Sequence, residues 1–159
     1  MGIIYQPRGR AQEYAPLALN IYKGCEHRCL YCFGPSALQS KRENYFNNPN
    51  PKKDVLKRVQ KDAQFLHNTN SDKEILISFI GDPYQPAEID LGITRHVIEI
   101  LIQFDLRFTI LTKGGIRAER DFDLLEYYPR KHVSVQPLSS LTRKMLTTGS
   151  QELHQLVTE

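Results

Sequence analysis

Residues 74–86, EILISFIGDPYQP, decide the architecture. The segment 74–80 is nearly continuous in apolar residues, as a strand covered on both faces requires. It halts at Gly81-Asp82-Pro83, where glycine and proline mark a turn. Downstream, Ile89, Ile93, Val97 and Leu101 recur at helical spacing. Residues 107–111 (RFTIL) then read as another buried strand, ending in Thr112-Lys113-Gly114-Gly115. Phe122, Leu125 and Tyr128 predict a third helix, and residues 132–135 (HVSV) a further short strand. Upstream, Asn50-Pro51 has the form of an N-cap followed by proline at the first helical position. The helix expected after it carries Val55, Val59, Ala63 and Leu66 on one stripe. Residues 39–50 read as loop or irregular helix, and 17–22 (LALNIY) as the first buried strand.

Strand and helix alternating at this spacing mean βαβ units and a parallel sheet. The expected fold class is α/β with about four βα units. It is either a TIM-like barrel, complete or partial, or an open doubly wound sheet. In both, ligands sit beyond the carboxyl ends of the strands. Three distinctive loops, 24–34, 81–86 and 112–115, each follow a strand and are expected to converge there.

The totals agree with one domain. The chain has 159 residues, 25% charged and 40% hydrophobic, ordinary for a globular protein. The net charge of +3 is too mild to argue for nucleic acid as a partner. No apolar run approaches the roughly 20 residues that span a bilayer. The first residues lack the apolar core of a signal peptide, so a cytoplasmic location is the default expectation.

All the cysteines lie in one loop, GCEHRCLYC at 24–32, spaced Cys25-x3-Cys29-x2-Cys32. Three thiols cannot all pair, and their crowding speaks against a disulfide framework. A structural zinc site wants four ligands, typically as two separated pairs. His27 stands two residues from both Cys25 and Cys29, which makes it an awkward fourth. Buried inert thiols would not cluster on a glycine-flanked polar loop. A [4Fe–4S] cluster held by three thiolates is the remaining reading. It leaves one iron without a protein ligand, which suits chemistry better than simple electron transfer.

Cys25-x3-Cys29-x-Tyr31-Cys32 resembles the signature of the radical S-adenosylmethionine (radical SAM) superfamily. The stretches NIYKGCEHRCLYC, GDPYQPAE, and LTKGG followed by ERDFDLL are similar to the branch related to spore photoproduct lyase. They occur in that branch's order, over about residues 17–140. The resemblance implies that Cys25, Cys29 and Cys32 hold the cluster while its open iron chelates S-adenosylmethionine. An external reductant of flavodoxin or ferredoxin type would supply one electron. Cleavage of the sulfonium would then give a 5′-deoxyadenosyl radical that abstracts hydrogen from a substrate. Tyr31 would pack near the adenine. Gly81 and Asp82, or nearby carbonyls, would meet the amino group, where the superfamily often carries Gly-Gly-Glu. Lys113, at the sheet's active end, is expected to meet a carboxylate or phosphate. Ser134, in the fourth strand, stands where the superfamily contacts ribose or carboxylate. His67, His96, His132 and His154 show no spacing that pairs them with carboxylates and read as surface or capping residues.

The superfamily's usual core has six βα units, against about four here. Residues 1–16 form an N-terminal extension and 142–159 a divergent tail, within a single core domain of 1–159. The sequence is thus expected to be a radical SAM enzyme, either minimal or represented by the N-terminal portion of such a core, with a second chain that completes the barrel as a candidate partner. The alternatives are a truncated, catalytically incomplete cluster-binding relative and a zinc-binding module. No motif marks DNA, RNA, peptide or small molecule as the substrate.

Overall fold

The computed structural model describes residues 2–135. The expected tail at 142–159 lies outside the described residues. The strands are β1 (Ile4–Tyr5), β2 (Leu17–Leu19), β3 (Tyr22–Lys23), β4 (Asn50–Pro51), β5 (Ile75–Ile77), β6 (Phe108–Thr112) and β7 (Lys131–Val135). The helices are α1 (Gly34–Ala37), α2 (Arg42–Asn47), α3 (Val55–Asn68), α4 (Glu88–Leu91), α5 (Ile93–Gln103) and α6 (Phe122–Leu125), with 3-10 turns at Gly9–Glu13 and Gly115–Asp121.

The main sheet runs β1-β2-β5-β6-β7. The last four are mutually parallel, and β1 is antiparallel to β2. The parallel strands follow one another in chain order, with no reversal. A doubly wound sheet needs such a reversal, so that alternative falls away for the described residues. Leu17, Leu19, Ile75, Ile77, Phe108 and Ile110 form one layer of the core against Val55, Val59 and Ala63 of α3 and Val97, Ile98 and Leu101 of α5. The two helices also touch each other, so they cover the same face. The N-terminal extension closes one edge: Asp62 of α3 accepts hydrogen bonds from the amides of Ile3 (2.5 Å) and Ile4 (2.9 Å), holding β1 beside β2.

Several boundaries differ from the sequence expectation, for identifiable reasons. The run 17–22 is not one strand. Asn20, buried in its middle, donates to the Tyr5 hydroxyl (2.8 Å), and its side-chain oxygen accepts from the amides of Phe79 (2.9 Å) and Ile80 (3.0 Å). Those two amides are therefore satisfied outside the sheet, and β5 ends at Ile77 instead of continuing to residue 80. Asn50-Pro51 does not start a helix. It pairs with Tyr22 and Lys23 as a two-stranded ribbon, and α3 begins only at Val55. The expected stripe from Ile89 to Leu101 is interrupted at Gly92, leaving Ile89 66% exposed on the separate helix α4. Glu88 is the buried residue of that helix. It accepts hydrogen bonds from the Tyr22 hydroxyl, the Thr94 amide and Arg120. The third helix is shorter than expected: α6 ends at Leu125, and Tyr128 lies beyond it, buried and stacked on Phe108. No helix among the described residues is long and apolar enough to cross a membrane.

Candidate functional site

The loops after β3, β5 and β6 meet as expected. Cys25, Cys29 and Cys32 line one cavity of about 220 Å³ together with Tyr31, Gly81, Asp82, Thr112 and Lys113. All three cysteines are free. Ser134 belongs to β7, and its backbone is the register partner of Leu111, which lines the same cavity.

The cysteine loop is held from several directions. Gly24 takes φ +115°, a conformation that glycine tolerates and side chains rarely adopt. The Cys25 amide donates to the Tyr45 carbonyl at 3.1 Å. Gln85, fully buried, accepts from the Glu26 amide at 3.0 Å, and the Glu26 carboxylate accepts from the Ala87 amide at 2.6 Å. On the outer side, Arg42 donates to the carbonyls of Cys29, Leu30 and Cys32 over 3.1–3.4 Å. Leu30 is nevertheless 91% exposed, and Tyr31 and Phe33 project into solvent as well.

Asp82 ties the strand ends together. Its carboxylate accepts from the Tyr84 amide (2.8 Å), the Thr112 hydroxyl (2.6 Å) and the Lys113 amide (2.6 Å). His27 Nε2 lies 3.6 Å away, too far for a hydrogen bond, and this buried nitrogen has no hydrogen-bond partner among the described residues. Burial opposes ionisation of Asp82, but His27, Thr112 and the Lys113 amide outweigh it, and its pKa lies below the ordinary aspartate value. The native chain therefore binds fewer protons here than the unfolded chain. The resulting stability is fully present above the ordinary value of 3.8 and is lost as pH falls through the folded value. Asp82→Asn is expected to cost roughly 1–3 kcal/mol at neutral pH and to flatten the acid limb of the stability profile. Thermal melts at pH 7 and pH 3 check this; an unchanged acid limb would count against the carboxylate's role.

Burial pushes the Cys25 thiol up to about 11, with the backbone of His27 and Asp82 acting the other way. Lys113 Nζ stands 3.7 Å from Cys29 Sγ, bonds to the Tyr31 hydroxyl, and lies 4.2 Å from the Tyr31 ring centroid. Burial alone would lower the Lys113 pKa, but Tyr31 and Cys29 more than offset it. Gly81, at φ +77°, donates its amide to the Tyr45 hydroxyl at 3.2 Å.

Among the described residues no group of three or more His, Cys, Asp or Glu is arranged to hold a metal ion. A [4Fe–4S] cluster makes a different demand, because each thiolate takes its own iron. Three free sulfurs opening on one cavity, with an ammonium beside Cys29, fit that donor chemistry.

Tyr45, Gln85 and Arg42 were not anticipated as parts of the site. Residues 39–50 carry no clear periodicity, so nothing in them signalled Tyr45 or Arg42. Thr112 had a signal, its place immediately before Lys113. His67 and His96 cap helix-end carbonyls of Phe104 and Gly92, in keeping with surface roles. The side chain of His132 and the whole of His154 lie outside the described residues.

The fold and site together define a parallel-sheet α/β protein that gathers free thiols at the carboxyl edge of its sheet. More particularly, the chain belongs to the Radical SAM superfamily, which it matches over residues 19–153. It is also 29% identical over 114 residues to the uncharacterised protein MJ0683 of Methanocaldococcus jannaschii. That alignment covers 72% of this chain and 41% of the relative, so the chain spans about two fifths of the relative's length. No solved structure matches.

Proposed function

We propose that Cys25, Cys29 and Cys32 hold a [4Fe–4S] cluster, that S-adenosylmethionine binds in the same cavity, and that the chain serves hydrogen abstraction from a substrate. The observation carrying this reading is that all three thiols open on one cavity at the strand carboxyl ends of a radical SAM chain. When bound, the cluster supplies one electron for reductive cleavage of the sulfonium, giving a 5′-deoxyadenosyl radical.

The chain's own residues then have separable tasks. Cys25 enters from a buried position, anchored through Tyr45, while Cys29 and Cys32 stand nearer the opening. Lys113 places positive charge beside the Cys29 sulfur, where it stabilises a thiolate. Gly81 keeps the β5 loop close to the cysteine loop and leaves backbone carbonyls as acceptors for an amino group. Asp82 is already engaged by three protein donors, so its part is to hold the Thr112–Lys113 segment and the turn at Tyr84 in place. Tyr31, 59% exposed, offers a ring face at the mouth for the adenine. Ser134 is assigned to ribose or carboxylate on the resemblance, supported by the backbone register that sets it beside Leu111.

Strands added in chain order with α3 and α5 on one face are how a TIM-like barrel is built, which supports a partial barrel. A kinship with the spore photoproduct lyase branch rests on the motifs alone, as does a flavodoxin or ferredoxin type reductant. A second reading is cluster binding without turnover unless another chain completes the barrel.

Anaerobic reconstitution with iron and sulfide tests the proposal. About four irons per chain are expected, together with release of 5′-deoxyadenosine on reduction with S-adenosylmethionine. A brown chain without cleavage would select the second reading. A colourless chain retaining zinc would overturn both.

A further inference from the structure

A second and larger cavity, about 520 Å³, lies on the other side of Tyr45, between the β3–β4 ribbon and the α1–α2 segment. Tyr45 lines both cavities, so its ring divides them. The volume is within the range of small-molecule sites, roughly 300–1,000 Å³. Its only charged side chains are Lys23 and Lys52, and no aspartate or glutamate lines it. Neither lysine has a carboxylate partner among the described residues. Lys52 is half-buried, where an unpaired ammonium costs free energy. Burial, followed by the charges of Arg58 and Lys23, lowers its pKa.

Hydrogen-bond donors stand around these two cations. Asn44, Asn50 and Ser40 line the cavity; the Ser40 hydroxyl donates to the Lys41 carbonyl and one Asn50 amide hydrogen to the Asn48 carbonyl, while the Asn44 side-chain amide makes no hydrogen bond among the described residues. Tyr22, Leu38 and Ile80 supply an apolar wall. Two cations plus several neutral donors suit an oxyanion with many acceptor oxygens, and the apolar wall suits an organic body attached to it.

We propose that this cavity binds a phosphate-bearing small molecule, its phosphate between Lys23 and Lys52 and its organic part against Tyr22, Leu38 and Ile80. The cavity is concave and its cations are two, whereas a nucleic-acid strand needs a basic stripe to follow. The proposal does not depend on the cluster reading, because none of the cysteines lines this cavity.

Isothermal titration calorimetry of the whole chain with phenyl phosphate, inorganic phosphate and benzoate tests it. Phenyl phosphate is expected to bind with one site per chain, more tightly than either partial analogue. Lys52→Gln should weaken it about tenfold or more, the loss expected for one charge-assisted contact. Lys52→Arg should recover part of that loss, and Cys29→Ala should bind as the parent does. Circular dichroism confirms that each variant is folded. Absence of saturable binding would overturn the proposal, as would an equal loss in Lys73→Gln, which changes a lysine of the loop preceding β5. Tight, Lys52-dependent binding of a 12-nucleotide single strand without binding of phenyl phosphate would also overturn it, in favour of a nucleic-acid surface.

Discussion

Cys29→Ala is expected to leave the reconstituted chain colourless, with its iron content falling from about four per chain to near zero. Two thiolates cannot hold a cube whose remaining irons have no protein ligand, so the loss should be nearly complete. The fold should survive. Cys29 is half-buried and belongs to neither group of buried hydrophobic residues, and the one hydrogen bond to its sulfur among the described residues comes from Lys113. Circular dichroism and the melting temperature should therefore stay close to those of the parent, separating loss of the ligand from loss of structure. Cys25→Ala would be less informative, since Cys25 is buried with Tyr45 and Phe46 and its removal also opens the small second core. Retention of the full brown chromophore by Cys29→Ala would refute the assignment of the three ligands.

Gly24→Ala should be among the most damaging single methyl additions in the described chain. At φ +115° the backbone is one that residues with a side chain rarely adopt. The added Cβ would also sit 2.6 Å from the Tyr45 carbonyl oxygen and 3.1 Å from that of Asn48, both main-chain atoms with little freedom to retreat. Strain and overpacking together suggest a loss of about 3 kcal/mol. For a chain of this size that is a fall in melting temperature of about 10 °C. Gly9→Ala is the control. Gly9 also has a positive φ, +63°, but nothing lies within 4 Å of its Cβ position, so only a backbone cost of about 1 kcal/mol applies. Equal melting temperatures for the two variants would show that the approach of residue 24 to Tyr45 is not tight. The substitution should also impair cluster assembly, because the Cys25 amide bonds to the same Tyr45 carbonyl.

The sequence was most informative where physical demands repeat along the chain. Buried parallel strands require apolar runs, and their covering helices require an apolar stripe, so the alternation and chain order of the elements could be read directly. Local motifs were less dependable wherever a distant group competed for the same atoms. Asn50-Pro51 has the residues of a helix start, yet pairing with Tyr22 and Lys23 captured it for a ribbon. The apolar run 74–80 ended early because Asn20, far away in sequence, bound the amides that would have continued the ladder. Ile89 kept its periodic position but lost its burial when Glu88 turned inward to Tyr22 and Arg120.

The cysteine spacing, the parallel βα plan and the convergence of three loops were determined by the sequence alone, because they depend on residue type and periodicity within short windows. Tertiary structure decided the rest. It engaged Asp82 with Tyr84, Thr112 and Lys113, brought the Lys113 ammonium to Cys29, and set Tyr45 as the wall between two cavities. Those outcomes follow from which polar groups find one another once the sheet has formed. Such pairings join residues tens of positions apart and leave no period in the chain to reveal them.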